Sequence, residues 1–413
     1  MLDTDLNIIS ECRTPHKTPL NRTMKQPFTL SPLHLIIPLL LLLTPPSLST
    51  NTPLLIPLSS GRPTFTFPSS SLYIPGKVAL EEHVGNSLIS GVFTTPYEPL
   101  TNEIQWQDAL YKADVIPRLS DIDERIRMMD AANISISVLA FGGPGIQGIF
   151  NKTYATWAAR FVNDETARIY KWGNYSGRFE FWCSNALQEP HLAALELERC
   201  VTQLGGIGSF LGGYTNNGSV NTTIYLDDPS LTPYLDAVVK LNVPIYLHPR
   251  MAPPSQQVVF RDYPFLAASP FGFATETAAH ALRLMVSGLF DRYPTLQIIL
   301  GHCGEGIPFY LPRLQHRLRH FERALWPAEK EIGEYWEKNF WVTTAGVRDV
   351  GALMDTVRWS GEDRVLWSVD YPFEDTVEMA GWWDRLEMSG WMRRKIGGEN
   401  ARRFLGLARG PEG

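Results

Sequence analysis

Residues able to do chemistry gather at the ends of four apolar runs. Lys77-Val-Ala-Leu-Glu81-Glu-His83 sets a carboxylate and an imidazole two positions apart. In an extended strand, side chains two apart share a face. Glu81 and His83 are therefore expected to project together while Val78, Leu80 and Glu82 face the other way. A carboxylate beside an imidazole suits a divalent metal ion. Pro244-Ile-Tyr-Leu-His248-Pro-Arg250, Ile299-Leu-Gly-His302-Cys-Gly-Glu305 and Leu366-Trp-Ser-Val-Asp370-Tyr-Pro-Phe373 offer further ligand or acid–base groups. A polar group closing an apolar strand costs free energy unless it has a partner or a task. A single such histidine is more often a hydrogen-bonded structural residue; four coinciding strand ends point to one shared site.

The elements that must position these groups follow from the apolar pattern. Runs at 77–83, 134–141, 179–187, 207–214, 243–248, 296–302, 340–345 and 365–370 read as strands. Amphipathic stretches at 121–131, 154–171, 190–203, 229–241, 275–290 and 308–325 lie between them. Ser120 or Asp121 suits the cap of the first helix, and Pro308 an early helical position. This alternation is that of an α/β fold, the (β/α)8 TIM barrel, as a single domain over residues 76–409. All four polar strand ends then converge at the C-terminal mouth. An open doubly wound sheet is the alternative, with its ligand at a switch point. Segments 215–228 and 250–273 read as long loops on the active-site face.

Composition narrows the function classes. The chain has 413 residues, 44% hydrophobic and 19% charged, enough for a large core and unlike a disordered protein. A net charge of −6 without a basic stripe argues against nucleic acid and leaves small molecules as the expected partners. Residues 1–75 form an N-terminal extension rich in Pro, Ser, Thr and Leu. Its apolar run at 33–43 is too short for a stable membrane span but suits a signal peptide, with Met24-Lys25 as its start and Ser47-Leu-Ser49 as a cleavage site. A misassigned start is the bland alternative. Glycosylation triplets include those beginning at Asn151, Asn174, Asn217 and Asn221. With Cys12 ahead of the signal-like run, Cys183, Cys200 and Cys303 remain, and an odd number argues against a disulfide framework.

Several local patterns carry less. Gly143-Pro-Gly-Ile-Gln-Gly148 matches a dinucleotide fingerprint, yet 181–187 lacks the acidic residue that a nucleotide ribose needs. His316 and His320 have metal spacing but no general base between them, so a solvated helix face is expected. His280 and Cys303 read as structural, and Trp382, Trp383 and Trp391 as helix-packing residues.

Taken together, the motif containing Glu81 and His83, the His248 and His302 motifs, and Trp367-Ser-Val-Asp370-Tyr-Pro-Phe373-Glu-Asp resemble those of the amidohydrolase-related metal-dependent decarboxylases. The branch most similar is that of γ-resorcylate and 2,3-dihydroxybenzoate decarboxylases. The likeness spans residues 76–407 and includes Glu276-Thr-Ala-Ala-His280 and Glu399-Asn-Ala-Arg-Arg-Phe404. It implies that Glu81, His83, His248 and Asp370 bind one divalent ion, with zinc expected ahead of manganese or magnesium, and no organic cofactor. It makes His302 and Glu305 an acid–base pair, with Asp370 catalytic as well as ligating. Arg313 becomes a substrate contact that relatives take from a neighbouring subunit, and Phe373 an aromatic packed on the substrate ring. A small aromatic carboxylic acid as substrate, a homo-dimer or homo-tetramer, and a cytoplasmic location are further implications; the location becomes secretory if 24–49 is a signal peptide. One departure is Gly212-Gly213, where relatives have Asn-Gly, which bears on the substrate's hydroxylation pattern.

The residue chemistry agrees with decarboxylation. Cleaving an aryl–carboxylate bond leaves a carbanion unless the ring carbon is protonated first, so the site needs a cation for the carboxylate and a positioned acid. Asp370 is the expected donor, provided a cation does not depress its pKa too far. A mononuclear hydrolase or lactonase shares the scaffold and stays as the alternative, with an inert binding barrel behind it. The fourth strand lacks the lysine that bridges two metals, and Glu81 replaces a histidine; both favour a single ion.

Overall fold

Alternating apolar strands and amphipathic helices close into a parallel barrel in this protein. The computed structural model describes residues 76–85, 103–142 and 145–407. The expected extension and its signal-like run lie outside the described residues. The strands are β1 (Lys77–Val84), β2 (Ile134–Phe141), β3 (Phe179–Phe181), β4 (Cys183–Ser184), β5 (Ser209–Gly212), β6 (Thr215–Asn216), β7 (Thr223–Ile224), β8 (Ile245–His248), β9 (Ile298–Leu300), β10 (Phe340–Thr343) and β11 (Val365–Leu366). One parallel sheet runs β1-β2-β3, and another runs β11-β10-β9-β8-β5-β4. Since β3 and β4 are halves of one strand interrupted at Trp182, the described residues supply eight barrel strands. Side chains complete the seam between first and last: Leu80 N and Glu81 N both donate to Ser368 Oγ, at 3.0 and 2.7 Å. His83 N donates to Tyr371 O at 2.7 Å.

The core has two layers, as a barrel requires. Val78, Leu80, Val138, Trp182, Phe210, Tyr246, Ile299 and Leu366 pack inside, whereas Ala79, Leu139, Leu211, Leu247, Leu300 and Val342 pack against the outer helices. The first strand departs from simple alternation. Ala79 pairs with Ser137 and Glu82 with Leu139, so Leu80 and Glu81 together oppose one residue. This bulge changes the phase of the strand. Glu81 and His83 do share a face, as expected, but Val78 and Leu80 lie on the inner side with them rather than opposite. Only Glu82, of the three expected there, faces the seam.

Most strands end earlier than their apolar runs because the last residues turn outward to build the mouth. After β9, His302, Cys303 and Glu305 have φ of 51°, 55° and 55°, and after β11 Asp370 has φ of 82°. Left-handed backbone costs a non-glycine residue roughly 1–2 kcal/mol, and its concentration on candidate site residues marks a region whose geometry serves something other than stability. The expected loop at 215–228 contains the antiparallel pair β6–β7, and 250–273 contains two 3-10 helices, Pro254–Phe260 and Pro264–Ala267.

The cysteine expectation needs correction: Cys183 and Cys200 form a disulfide. Parity misled because Cys303 is simply a buried free thiol, the packing role expected for it. None of the helices among the described residues is long and apolar enough to cross a membrane.

Candidate metal centre

Four ligand atoms, one each from Glu81, His83, His248 and Asp370, lie within 4.8 Å of one another at the C-terminal mouth. Their positions follow from the strands: the bulge turns Glu81 inward, His83 follows two residues on, and β8 presents His248 on the same inner face as Tyr246. Asp370 arrives from the left-handed turn after β11. His83 Nε2 is 3.0 Å from Asp370 Oδ1, and His248 Nε2 is 3.3 Å from Glu81 Oε1. His302 stands beside the cluster, its Nε2 3.6 Å from Asp370 Oδ2 and 3.8 Å from Glu81 Oε1. Its Nδ1 pairs with Glu305 Oε1 at 2.7 Å. The sequence therefore named six residues that the fold brings together. Phe373 joins them as a wall, its ring centroid 5.3 Å from that of His83. Arg313 does not: it is exposed on the helix Ile307–Leu318.

Sequence reasoning missed the groups that hold these side chains. Tyr246, an apparent core aromatic, donates its hydroxyl hydrogen bond to Glu81 Oε2 and contacts Thr343 Oγ1 at 3.0 Å. That leaves Glu81 Oε1 for the cluster. Gly301 provides clearance for the same carboxylate, because a Cβ there would come within 2.5 Å of Glu81 Oε2. Gly346 does likewise for His302, whose Cδ2 would lie 3.1 Å from an added Cβ. An inward tyrosine two residues before a ligand histidine was the available signal, and glycines beside polar strand ends gave a weaker one.

Burial dominates the electrostatics. It pushes Glu81 up to about 7, with His302 pulling the other way. Burial, then the proximity of His83, holds His248 well below the ordinary imidazole range. At Asp370 burial opposes the charge, but His302 and His83 outweigh it and hold the carboxyl below its usual range. At His302 burial again opposes the charge, and Glu305 and Glu81 outweigh it, holding the imidazole well above its usual range.

These residues fit a divalent ion. Glu81 Oε1, His83 Nε2 and Asp370 Oδ1 are buried with no hydrogen-bond partner among the described residues. Buried polar atoms are nearly always satisfied, and a cation at the centre would satisfy all three while drawing Glu81 back to its charged form. Two imidazoles and two carboxylates, without thiolate, form a donor set shared by zinc, manganese and magnesium.

Known proteins have related sequences and folds. Residues 99–407 match the family model described as amidohydrolase. The chain is 38% identical over 334 residues to the γ-resorcylate decarboxylase of Rhizobium sp. (strain MTP-10005), covering 80% of this chain and 98% of that one. Among solved structures, the dihydroxybenzoic acid decarboxylase from Polaromonas sp. JS666, with bound manganese and the inhibitor 2-nitroresorcinol, superposes with a TM-score of 0.74 at 36% identity, covering 81% of this chain and 98% of that one. The 5-carboxyvanillate decarboxylase from Sphingomonas paucimobilis gives a TM-score of 0.72 at 30% identity, covering 81% of this chain and 100% of that one.

Proposed function

The chain belongs to the amidohydrolase family, and from that premise we propose how its TIM barrel works as a metal-dependent, non-oxidative decarboxylase of hydroxylated aromatic acids. It is a carboxy-lyase by its relatives. The observation that carries the reading is the ring of bare donor atoms at the mouth with an acid–base pair beside it.

Glu81, His83, His248 and Asp370 would hold the ion, which when bound supplies positive charge for the substrate's carboxylate and an ortho oxygen. Phe373 would set the ring's plane by packing against it. His302, kept cationic by Glu305, would manage the phenolic proton. The sequence left open whether Asp370 can act as an acid. Its depressed pKa means that it does not carry a proton at rest. His302 Nε2, 3.6 Å from Asp370 Oδ2, is the neighbouring source. A proton passed from His302 through Asp370 to the ring carbon would let the carbon–carboxylate bond break without a free carbanion.

Manganese is the preferred ion: the donor set accepts it, and the Polaromonas relative carries it. Zinc, expected from the sequence, has only the donor set in its favour. A homo-dimer or homo-tetramer fits Arg313, whose exposed place near Phe309 and Tyr310 suits a neighbouring subunit better than its own site.

The test is incubation with hydroxybenzoates, orsellinate-like acids and aryl lactones, scored for CO2 and for ring-opened acid. CO2 release that disappears in Asp370→Ala and His302→Ala, both still folded, supports the reading. Lactone opening without CO2 release would instead identify a mononuclear hydrolase, and neither product would leave an inert barrel.

A further inference from the structure

The third barrel strand carries a feature with no part in decarboxylation. Cys183 on β4 and Cys200, directly after the helix Pro190–Arg199, are both fully buried and joined as a disulfide. The segment that follows is shaped around the bond. Gly206 passes so close that a Cβ there would meet Cys183 Sγ at 2.3 Å and Cys200 Sγ at 2.8 Å. Its backbone N–H is tied to Cys200 O at 3.0 Å. Structural bridges of this kind persist in oxidising compartments and are rare in the cytosol, where glutathione and thioredoxin keep thiols reduced.

A second observation is independent of the sulfur atoms. Asn151-Lys-Thr153, Asn174-Tyr-Ser176 and Asn221-Thr-Thr223 are N-glycosylation acceptor triplets. All three asparagines are exposed in the folded chain, whereas Asn217, heading another such triplet, is half-buried, and the triplet Asn133-Ile-Ser135 runs into β2. Asn151 caps the helix Lys152–Thr166 through Oδ1, which accepts from Tyr154 N at 2.9 Å. A glycan bonds to Nδ2, so that cap is compatible with modification. Asn174 lies in the turn ahead of β3, and Asn221 in the connection between β6 and β7. The acceptors thus occupy three separate surface connections.

We propose that the chain folds in the oxidising lumen of a secretory pathway, where the Cys183–Cys200 bridge closes and Asn151, Asn174 and Asn221 accept N-linked glycans. In bridge formation the two thiols lose two protons and two electrons to a disulfide donor, which leaves as a dithiol. In glycosylation the asparagine Nδ2 bonds to the first sugar carbon of a lipid-pyrophosphate-linked oligosaccharide. The carbon–oxygen bond to pyrophosphate breaks, and the amide loses one proton. The decarboxylase reading is not a premise of this inference.

The test uses the full chain expressed in a eukaryotic host, alkylated under denaturing, non-reducing conditions and mapped by mass spectrometry after peptide N-glycosidase treatment in heavy-oxygen water. Expected are Cys183 and Cys200 that resist alkylation until reduced, and a heavy-oxygen tag at the three asparagines. Thr153→Ala, Ser176→Ala and Thr223→Ala should each delete one tag while leaving the bridge closed. Cys183 or Cys200 alkylated without reduction, or a chain bearing no tag at any of the three asparagines, would overturn the proposal. A closed bridge with a tag at all three supports it, and an asparagine left untagged while the bridge is closed overturns the assignment of that acceptor.

Discussion

Glu81 and Glu82 are adjacent on one strand, both are buried, and burial pushes both up to about 7. Their surroundings nevertheless give them opposite uses. Glu82 Oε1 accepts from Ser368 Oγ at 3.0 Å and Val369 N at 3.1 Å, across the seam that closes the barrel. Glu81 Oε1 has no hydrogen-bond partner among the described residues and faces two imidazoles. The bulge at Leu80 and Glu81 separates them by giving one the inner phase and the other the seam. Residue type and burial do not distinguish a ligand from a structural carboxylate; an oxygen left bare beside other bare donors does.

The largest expected effect comes from removing the inner carboxylate. Glu81→Gln should abolish stoichiometric metal binding, measured by elemental analysis, and lower kcat/KM by about 10³-fold, the scale of several kcal/mol of lost charge stabilisation. Near-normal metal content and turnover in this variant would remove the contrast with Glu82. A smaller effect is expected from Tyr246→Phe, which keeps the ligand but frees its outer oxygen. Loss of such an orienting partner typically weakens metal affinity by about 10–100-fold, readable by chelator competition, with the fold retained.

Glu82→Gln should behave in the reverse sense. Disturbing buried hydrogen bonds at the seam should cost about 1–3 kcal/mol of stability in urea unfolding, while metal content per folded chain stays stoichiometric. The pH dependence of stability reads the same carboxylate. Burial pushes Glu82 from the ordinary glutamate value of 4.5 up to about 7 in the folded chain. Between those values the folded chain binds more protons, so this group's contribution is present at low pH and is lost as pH rises through 7. Gln does not titrate, so the metal-free variant should show a shallower fall in stability from pH 4.5 to 7. An unchanged slope would show that Glu82 has no share in it.

Much of the barrel was legible because apolar runs of strand length alternate with helical patterns, and polar residues ending such runs are conspicuous. Glu81, His83, His248, His302, Glu305 and Asp370 were all found in that way. The bulge was not legible, since it depends on pairing with β2 and on Ser368 arriving from the last strand. Tyr246 looked like core because its ring is core; only its hydroxyl reaches Glu81. The Cys183–Cys200 bridge was hidden for a related reason, as a count of cysteines carries no information about which thiols the fold brings together. Arg313 marks the converse limit: its motif position was visible, but the described chain leaves it exposed.

Decarboxylation is expected to depend on an ion held by the inner cluster. The most direct measurement follows CO2 release from the hydroxybenzoate turned over fastest in the substrate panel, by wild-type protein and Glu81→Gln, first stripped of metal and then titrated with manganese. Expected are no release from stripped wild type, recovery that saturates at one manganese per chain, and no recovery in the variant. Undiminished release from the stripped protein, or equal recovery in Glu81→Gln, would contradict that dependence.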